Sequence, residues 1–372
     1  MNLLYDILSN TAKIMDSELY WLAKIENLKL EIPKNRYCCT MKSNSIMESA
    51  LSIIDERGKN ALGDACREIL QSQLDGGVIS TALNYYAKNI LPRVLPIFPA
   101  LISLACELVG GKPEKTRSLA AAMMLITASG DVHDDIIDKS THKFRRKTVF
   151  GKYGNEIALL VGDALLIQGT TVIQDRCESL MPNQRKLITD LITQSFFEIA
   201  KAEAIETRLW KKTNVTPKEY FEVIRLKGGV AELQCRIGGI MGGADEKALD
   251  SVKHYGRVIG ILSTMKDEFM DLLNFSELQH RLKSELPPYP MLCAFQNELL
   301  KKQITLITEK TKFSRKESQL IATTVMKSNE VQKLKTELKT LSENELKNNI
   351  LLQDTKMGKE AAILLQALAS NL

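Results

Sequence analysis

Two acidic clusters constrain any fold open to this chain: Asp134-Asp135-Ile136-Ile137-Asp138 and, 133 residues further on, Asp267-Glu268-Phe269-Met270-Asp271. Both lie in apolar stretches with helical spacing, where a carboxylate is costly unless something neutralises it. On a helix the first and last acids of each cluster stand at i and i+4 and share one face. Like charges held that close repel, and a divalent cation is the simplest remedy. Hard cations with oxygen ligands, Mg2+ above all, suit carboxylate sites that also hold a substrate phosphate. The residues read as a Mg2+–diphosphate site.

The rest of the pattern is helical. Strand-like alternation is nearly absent. Breakers separate long periodic segments at Gly76-Gly77, Gly110 to Pro113, Met181 to Asn183, Gly242-Gly243 and Pro287 to Pro290. Thr216-Pro217-Lys218-Glu219 combines an N-cap threonine, proline at the first helical position and an acid in the first turn. That predicts a helix start ahead of a helix from Tyr220 to Ile240. Segments of this length joined by short loops predict an all-α fold, a large single-domain helical bundle around a central cavity. We expect residues 1–72 to form a helical N-terminal extension, with a loop over 32–45, and residues 73–372 to form the bundle.

Composition narrows the partners. A 44% hydrophobic, 26% charged chain of 372 residues has material for a sizeable core. A net charge of +5 is too weak to imply nucleic acid or an anionic membrane surface. Basic residues thicken at Lys301, Lys302, Lys310, Lys312, Arg315 and Lys316, but acids alternate with them, which reads as a solvated helix face. Seven cysteines without a CxxC pair argue for a reduced, cytoplasmic protein, with Cys106, Cys235 and Cys293 as small core residues. The longest apolar run, 94–106, is too short to span a bilayer. Asp6 interrupts the first apolar stretch, so no signal peptide is expected.

From His133 the chain runs through the first cluster, a Gly151-Lys152-Tyr153-Gly154 loop and Gly162-Asp163-Ala164-Leu165-Leu166. This run closely resembles the trans-type isoprenyl diphosphate synthases (polyprenyl synthetases), and the likeness extends over roughly 75–370. The resemblance implies that both acidic helices face one cavity and hold about three Mg2+ ions on the diphosphate of an allylic substrate. The metals would stabilise charge as the C–O bond breaks. An apolar pocket would keep water from the allylic cation while isopentenyl diphosphate attacks through its double bond. The implied enzyme is a Mg2+-dependent prenyltransferase making a longer all-trans prenyl diphosphate. Its partners would be small-molecule prenyl diphosphates, and it would assemble as a homodimer or as a heteromer with another synthase.

Carried over residue by residue, Asp134, Asp135, Asp138, Asp267, Glu268 and Asp271 match the metal ligands, with Glu268 one methylene longer than the usual aspartate. Lys227 matches the lysine that contacts the allylic diphosphate; with Asp134, Asp135 and Asp267 it makes up the expected catalytic set. Arg145 and Arg146 resemble a diphosphate-clamping basic pair, about two residues beyond its usual place. Ser129 and Gly130 occupy the positions that floor the tail pocket. Their small size implies an open channel and products of C20 or longer.

Other positions depart from the pattern. The isopentenyl diphosphate signature Gly-Lys-x-x-Arg-Pro becomes Leu91-Pro92-Arg93-Val94-Leu95-Pro96, with Arg93 in place, Pro92 at the lysine and Leu95 at the second arginine. Thr264 replaces a glutamine, and Lys283 is the nearest lysine to a later loop that usually carries one. Two alternatives therefore stand: a class I terpene synthase-like enzyme acting without isopentenyl diphosphate, and a non-catalytic synthase subunit. An all-α scaffold with merely structural acidic patches is a third. Asp131, one turn before Asp134, requires a base, a water or a metal beside it. His133 reads as a structural hydrogen-bonding histidine turned off the metal face.

Overall fold

The computed structural model describes residues 41–72, 76–212, 214–309, 313–353 and 355–370. The expected helix over the first 30 residues and the loop over 32–40 lie outside these. Residues 41–45, expected in that loop, instead open helix α1 (Met41–Gln71). Lys, Asn and Ser cost a helix little, and an apolar stripe beginning at Ile46 docks it.

Three helices follow: α2 (Val78–Asn89), α3 (Ile97–Leu108) and α4 (Arg117–Ile137). Met47, Ala50 and Ile54 of α1 join one core with Leu101 and Leu104 of α3. Ala61, Ala65 and Ile69 join a second with Leu119 to Leu125 of α4. Residues 46–71, assigned by sequence to an extension, are thus packed into the bundle.

A short antiparallel hairpin, β1 (His142–Lys143) and β2 (Arg146–Lys147), follows the first acidic cluster. Then come α5 (Val149–Tyr153), α6 (Asn155–Cys177) and α7 (Pro182–Trp210). α6 lies along α4. Its glycine at 162 is required by close approach: a Cβ there would sit 2.3 Å from His133 Nε2. By length and composition α6 is apolar enough to cross a membrane, which the sequence reading did not single out. In the bundle its Ala158, Val161 and Leu165 are buried, whereas Leu159, Leu160 and Ile167 are exposed.

The expected helix from Tyr220 to Ile240 is two helices, α8 (Pro217–Lys227) and α9 (Gly229–Gly242). The capping box of Thr216 and Glu219 is present as the sequence implies. The break has a packing cause: Gly228 is pressed against α10 (Glu246–Leu273), where a Cβ on Gly260 would lie 2.2 Å from the Gly228 carbonyl oxygen. α9 packs between α3 and α10. A C-terminal layer closes over α10: α11 (Phe275–Ser284), α12 (Tyr289–Ala294), α13 (Glu298–Thr308), α14 (Arg315–Lys327), α15 (Asn329–Asn348) and α16 (Lys356–Ala369). Arg315 and Lys316 are exposed on α14, in keeping with a solvated face. Cys106, Cys235 and Cys293 are buried free thiols.

Candidate active site

A cavity of about 510 Å3 opens between α4 and α10 and is lined by all six carboxylates of the two clusters. Asp134 and Asp135 come from the last turn of α4 and Asp138 caps it; Asp267, Glu268 and Asp271 come from the last turns of α10. Deeper, Phe98, Leu101, Met123, Ile126, Ile199 and Leu233 give the cavity apolar walls. Ser129 and Gly130 face it between acids and walls. A polar mouth on an apolar tunnel suits a ligand with a charged head and a hydrocarbon tail.

The first cluster is crowded. Burial pushes the Asp135 carboxyl up to about 7, with Asp131 and Asp134 adding to the rise against the pull of Lys143. Burial, then Asp134 and Glu285, push Asp138 up to about 9. In both, removal from water favours the neutral acid, and neighbouring carboxylates add to that preference.

Lys143, which sequence reasoning passed over, supplies the local cation. Its Nζ lies 2.9 Å from Asp131 Oδ1 and 2.9 Å from Asp135 Oδ1, and its side chain is 9% exposed. Asp131 also accepts from the Tyr86 hydroxyl at 3.2 Å, so the base it requires is present. His133 Nε2 is 3.3 Å from Asp163 Oδ1, off the carboxylate face of α4, though the ring also borders the cavity.

Lys227 reaches the cavity, held 3.1 Å from Glu203 Oε1 and 2.5 Å from Glu206 Oε2 of α7. These glutamates were also missed. Their i, i+3 spacing next to apolar residues was the available signal. Arg281 of α11, buried beside Glu268 and Asp271, was missed because no motif points to it. Lys283, the nearest lysine to the later loop, is exposed.

Three expected contacts are not made. Arg145 and Arg146 are exposed on the hairpin and do not line the cavity. The two-residue turn of Phe144 and Arg145 presents Lys143 inward instead. Arg93 Nε donates to the Asn89 carbonyl at 3.2 Å and also stays out of the cavity lining, while Leu95 is buried in the core.

Among the described residues no three His, Cys, Asp or Glu side chains are grouped to hold a metal ion by themselves. The donor set at the cavity mouth is all carboxylate oxygen, the ligand chemistry that Mg2+ takes alongside substrate phosphates.

A polyprenyl synthetase family model matches residues 82–325. The chain belongs to that family. Among relatives, a short chain isoprenyl diphosphate synthase of Methanothermobacter thermautotrophicus is 28% identical over 182 residues, 49% of this chain and 55% of that protein. A geranylgeranyl diphosphate synthase of Methanosarcina mazei is 28% identical over 175 residues, 47% of this chain and 53% of that protein. The chain thus spans about half the length of the curated relatives it matches. The polyprenyl synthetase fold is shared more widely. Geranylgeranyl pyrophosphate synthetase of Pyrococcus horikoshii superposes with a TM-score of 0.76 at 21% identity, covering 88% of this chain and 100% of that one. A Caulobacter crescentus polyprenyl synthase, solved with calcium and isoprenyl diphosphate, gives 0.71 at 16%, covering 86% and 97%.

Proposed function

We propose that this polyprenyl synthetase is a Mg2+-dependent prenyltransferase that ionises an allylic diphosphate and condenses it with isopentenyl diphosphate. The product would be a longer all-trans prenyl diphosphate, C20 or longer. The observation that carries the proposal is the convergence of six carboxylates and Lys227 on the mouth of one apolar-walled cavity. Relatives named as geranylgeranyl and short-chain synthases support it, as does the calcium and isoprenyl diphosphate in the Caulobacter homologue.

Bound Mg2+ would supply Lewis-acid charge against the departing diphosphate, held by carboxylates of the two clusters that line the cavity. Lys227 would orient the diphosphate, with Glu203 and Glu206 fixing its ammonium. Phe98, Ile126 and Leu233 would keep water from the cation. Met123, two turns below Gly130, would be met only by a long tail.

We further propose a homodimer, supported by the apolar exposure of Leu159, Leu160 and Ile167 on α6 and of Phe196 and Phe197 on α7. A cytoplasmic location is proposed on the strength of the free cysteines.

One observation favours a second reading. The Lys and Arg side chains lining the cavity, among the described residues, are Lys143, Lys227 and Arg281, each already facing two carboxylates or more. A second diphosphate has few cations to meet, which favours a terpene synthase-like reaction on one prenyl diphosphate. Incubation with dimethylallyl, geranyl, farnesyl and geranylgeranyl diphosphates, each with and without isopentenyl diphosphate, decides. Elongation only with isopentenyl diphosphate supports the proposal. Diphosphate release without it supports the second reading, and no turnover in any mixture would indicate a non-catalytic subunit.

A further inference from the structure

The spelling Asp267-Glu268-Phe269-Met270-Asp271 suggests three equivalent ligands, but the structure gives Glu268 a different employment. Both its oxygens are taken by protein donors. Oε1 is 3.2 Å from Arg281 Nη2 and 2.8 Å from the Tyr220 hydroxyl, whose one proton is shared with Glu206 Oε1 at 2.9 Å. Oε2 is 3.1 Å from Arg281 Nη2 and accepts the Tyr289 backbone N–H at 2.7 Å. These donors come from α8, α11 and α12, so releasing Glu268 to a metal would break contacts on three helices.

Arg281 is committed in turn. Its Nε lies 3.0 Å from the Leu286 carbonyl oxygen and 3.1 Å from Glu285 Oε2; Nη1 is 2.5 Å from Asp271 Oδ2; Nη2 is 2.9 Å from the Tyr220 hydroxyl. With its side chain 5% exposed, it is a fixed interior charge. A carboxylate whose lone pairs are filled by charge-assisted donors is a poor ligand for a hard cation.

We infer that Glu268 is not a metal ligand but the positioning residue for Arg281, which remains in the second cluster as a protein-borne cation where the motif's spelling calls for another metal contact. This deepens the proposed function and rests on its metal–diphosphate reading. The divalent ions then depend on the other carboxylates of the two clusters. Glu268 sets the position of a guanidinium that lines the same cavity.

The test counts Mn2+ by electron paramagnetic resonance on the full chain with a non-cleavable allylic thiolodiphosphate, and it follows melting temperature with Mn2+ alone. Glu268→Gln keeps length and one acceptor; it is expected to bind as many Mn2+ ions as wild type, whereas Asp134→Asn binds fewer. Loss of an ion in Glu268→Gln overturns the inference. Arg281→Gln leaves Glu268 and Asp271 without their cation, so Mn2+ alone should raise its melting temperature by about 5 °C while moving wild type by less than about 1 °C. A purely structural arginine would lower stability equally with and without Mn2+, and equal Mn2+ responses of the two proteins also overturn the inference. If Glu268→Gln does not fold, the Arg281→Gln comparison decides alone. If wild type binds no Mn2+ with the analogue, the proposed function fails and this inference with it. If wild type binds but Glu268→Gln loses an ion, the inference alone fails.

Discussion

Lys143 Nζ stands 2.9 Å from Asp131 Oδ1 and 2.9 Å from Asp135 Oδ1, so one buried cation ties a residue ahead of the first cluster to the second aspartate within it. Removing one partner of such a set leaves buried charge uncompensated, at a cost of about 3 kcal/mol or more. Lys143→Met should therefore lower unfolding free energy by roughly that much in urea titrations. Adding Asp131→Leu to it should recover part of the loss, because one of the stranded charges is then gone. A double variant no more stable than Lys143→Met would show that Asp131 is not the partner that matters.

The loop that delivers Lys143 holds backbone strain. Lys139, Phe144 and Arg145 have φ of 56°, 51° and 58°, in the left-handed region that glycine accepts and other residues resist. Phe144 and Arg145 are the central pair of a two-residue hairpin, a turn that calls for positive φ at both. Arg145→Gly should stabilise the protein by about 1 kcal/mol in the same titration. Its turnover should stay within about threefold of wild type, since Arg145 does not line the cavity. A loss of a hundredfold would return it to the diphosphate clamp that the sequence suggested.

Product length should respond to the tunnel floor. Gly130→Leu fills the cavity one turn below the acids, so chromatography of products should show shorter chains. Met123→Ala, two turns below Gly130 in the wall, should lengthen them. An unchanged distribution in both would place the tail elsewhere.

The start of α8, which carries Tyr220 and Lys227, has an acid-sensitive cap. Lys212, then Thr216, holds the Glu219 carboxyl down to about 2 from an ordinary 4.5. A folded value below the unfolded one contributes stability above pH 4.5 that is lost as pH falls towards 2. Wild type should therefore melt higher than Glu219→Gln at pH 7, and the gap should close by about pH 2. A constant gap would mean the carboxylate charge plays no part.

The sequence was most informative where one residue type serves one purpose. Six acids in apolar helices left few options besides a shared cavity, and Thr216-Pro217-Glu219 marked a helix start by local chemistry alone. What it hid depends on approach between distant segments. The break at Gly228 exists because Gly260 presses on it, 32 residues away. Lys143 rather than Arg145 or Arg146 enters the cavity because of a turn geometry that Phe-Arg does not advertise. Arg281 sits in a segment that looks like an ordinary charged helix face, and only the folded arrangement gives it buried partners.

Calorimetric titration of wild type with a non-cleavable allylic thiolodiphosphate, once with Mg2+ and once with EDTA, tests the central claim most directly. The account predicts binding with Mg2+, none detectable with EDTA, and none in Asp134→Asn/Asp267→Asn under either condition. Equal affinity with and without the metal, or full affinity in that double variant, would contradict it.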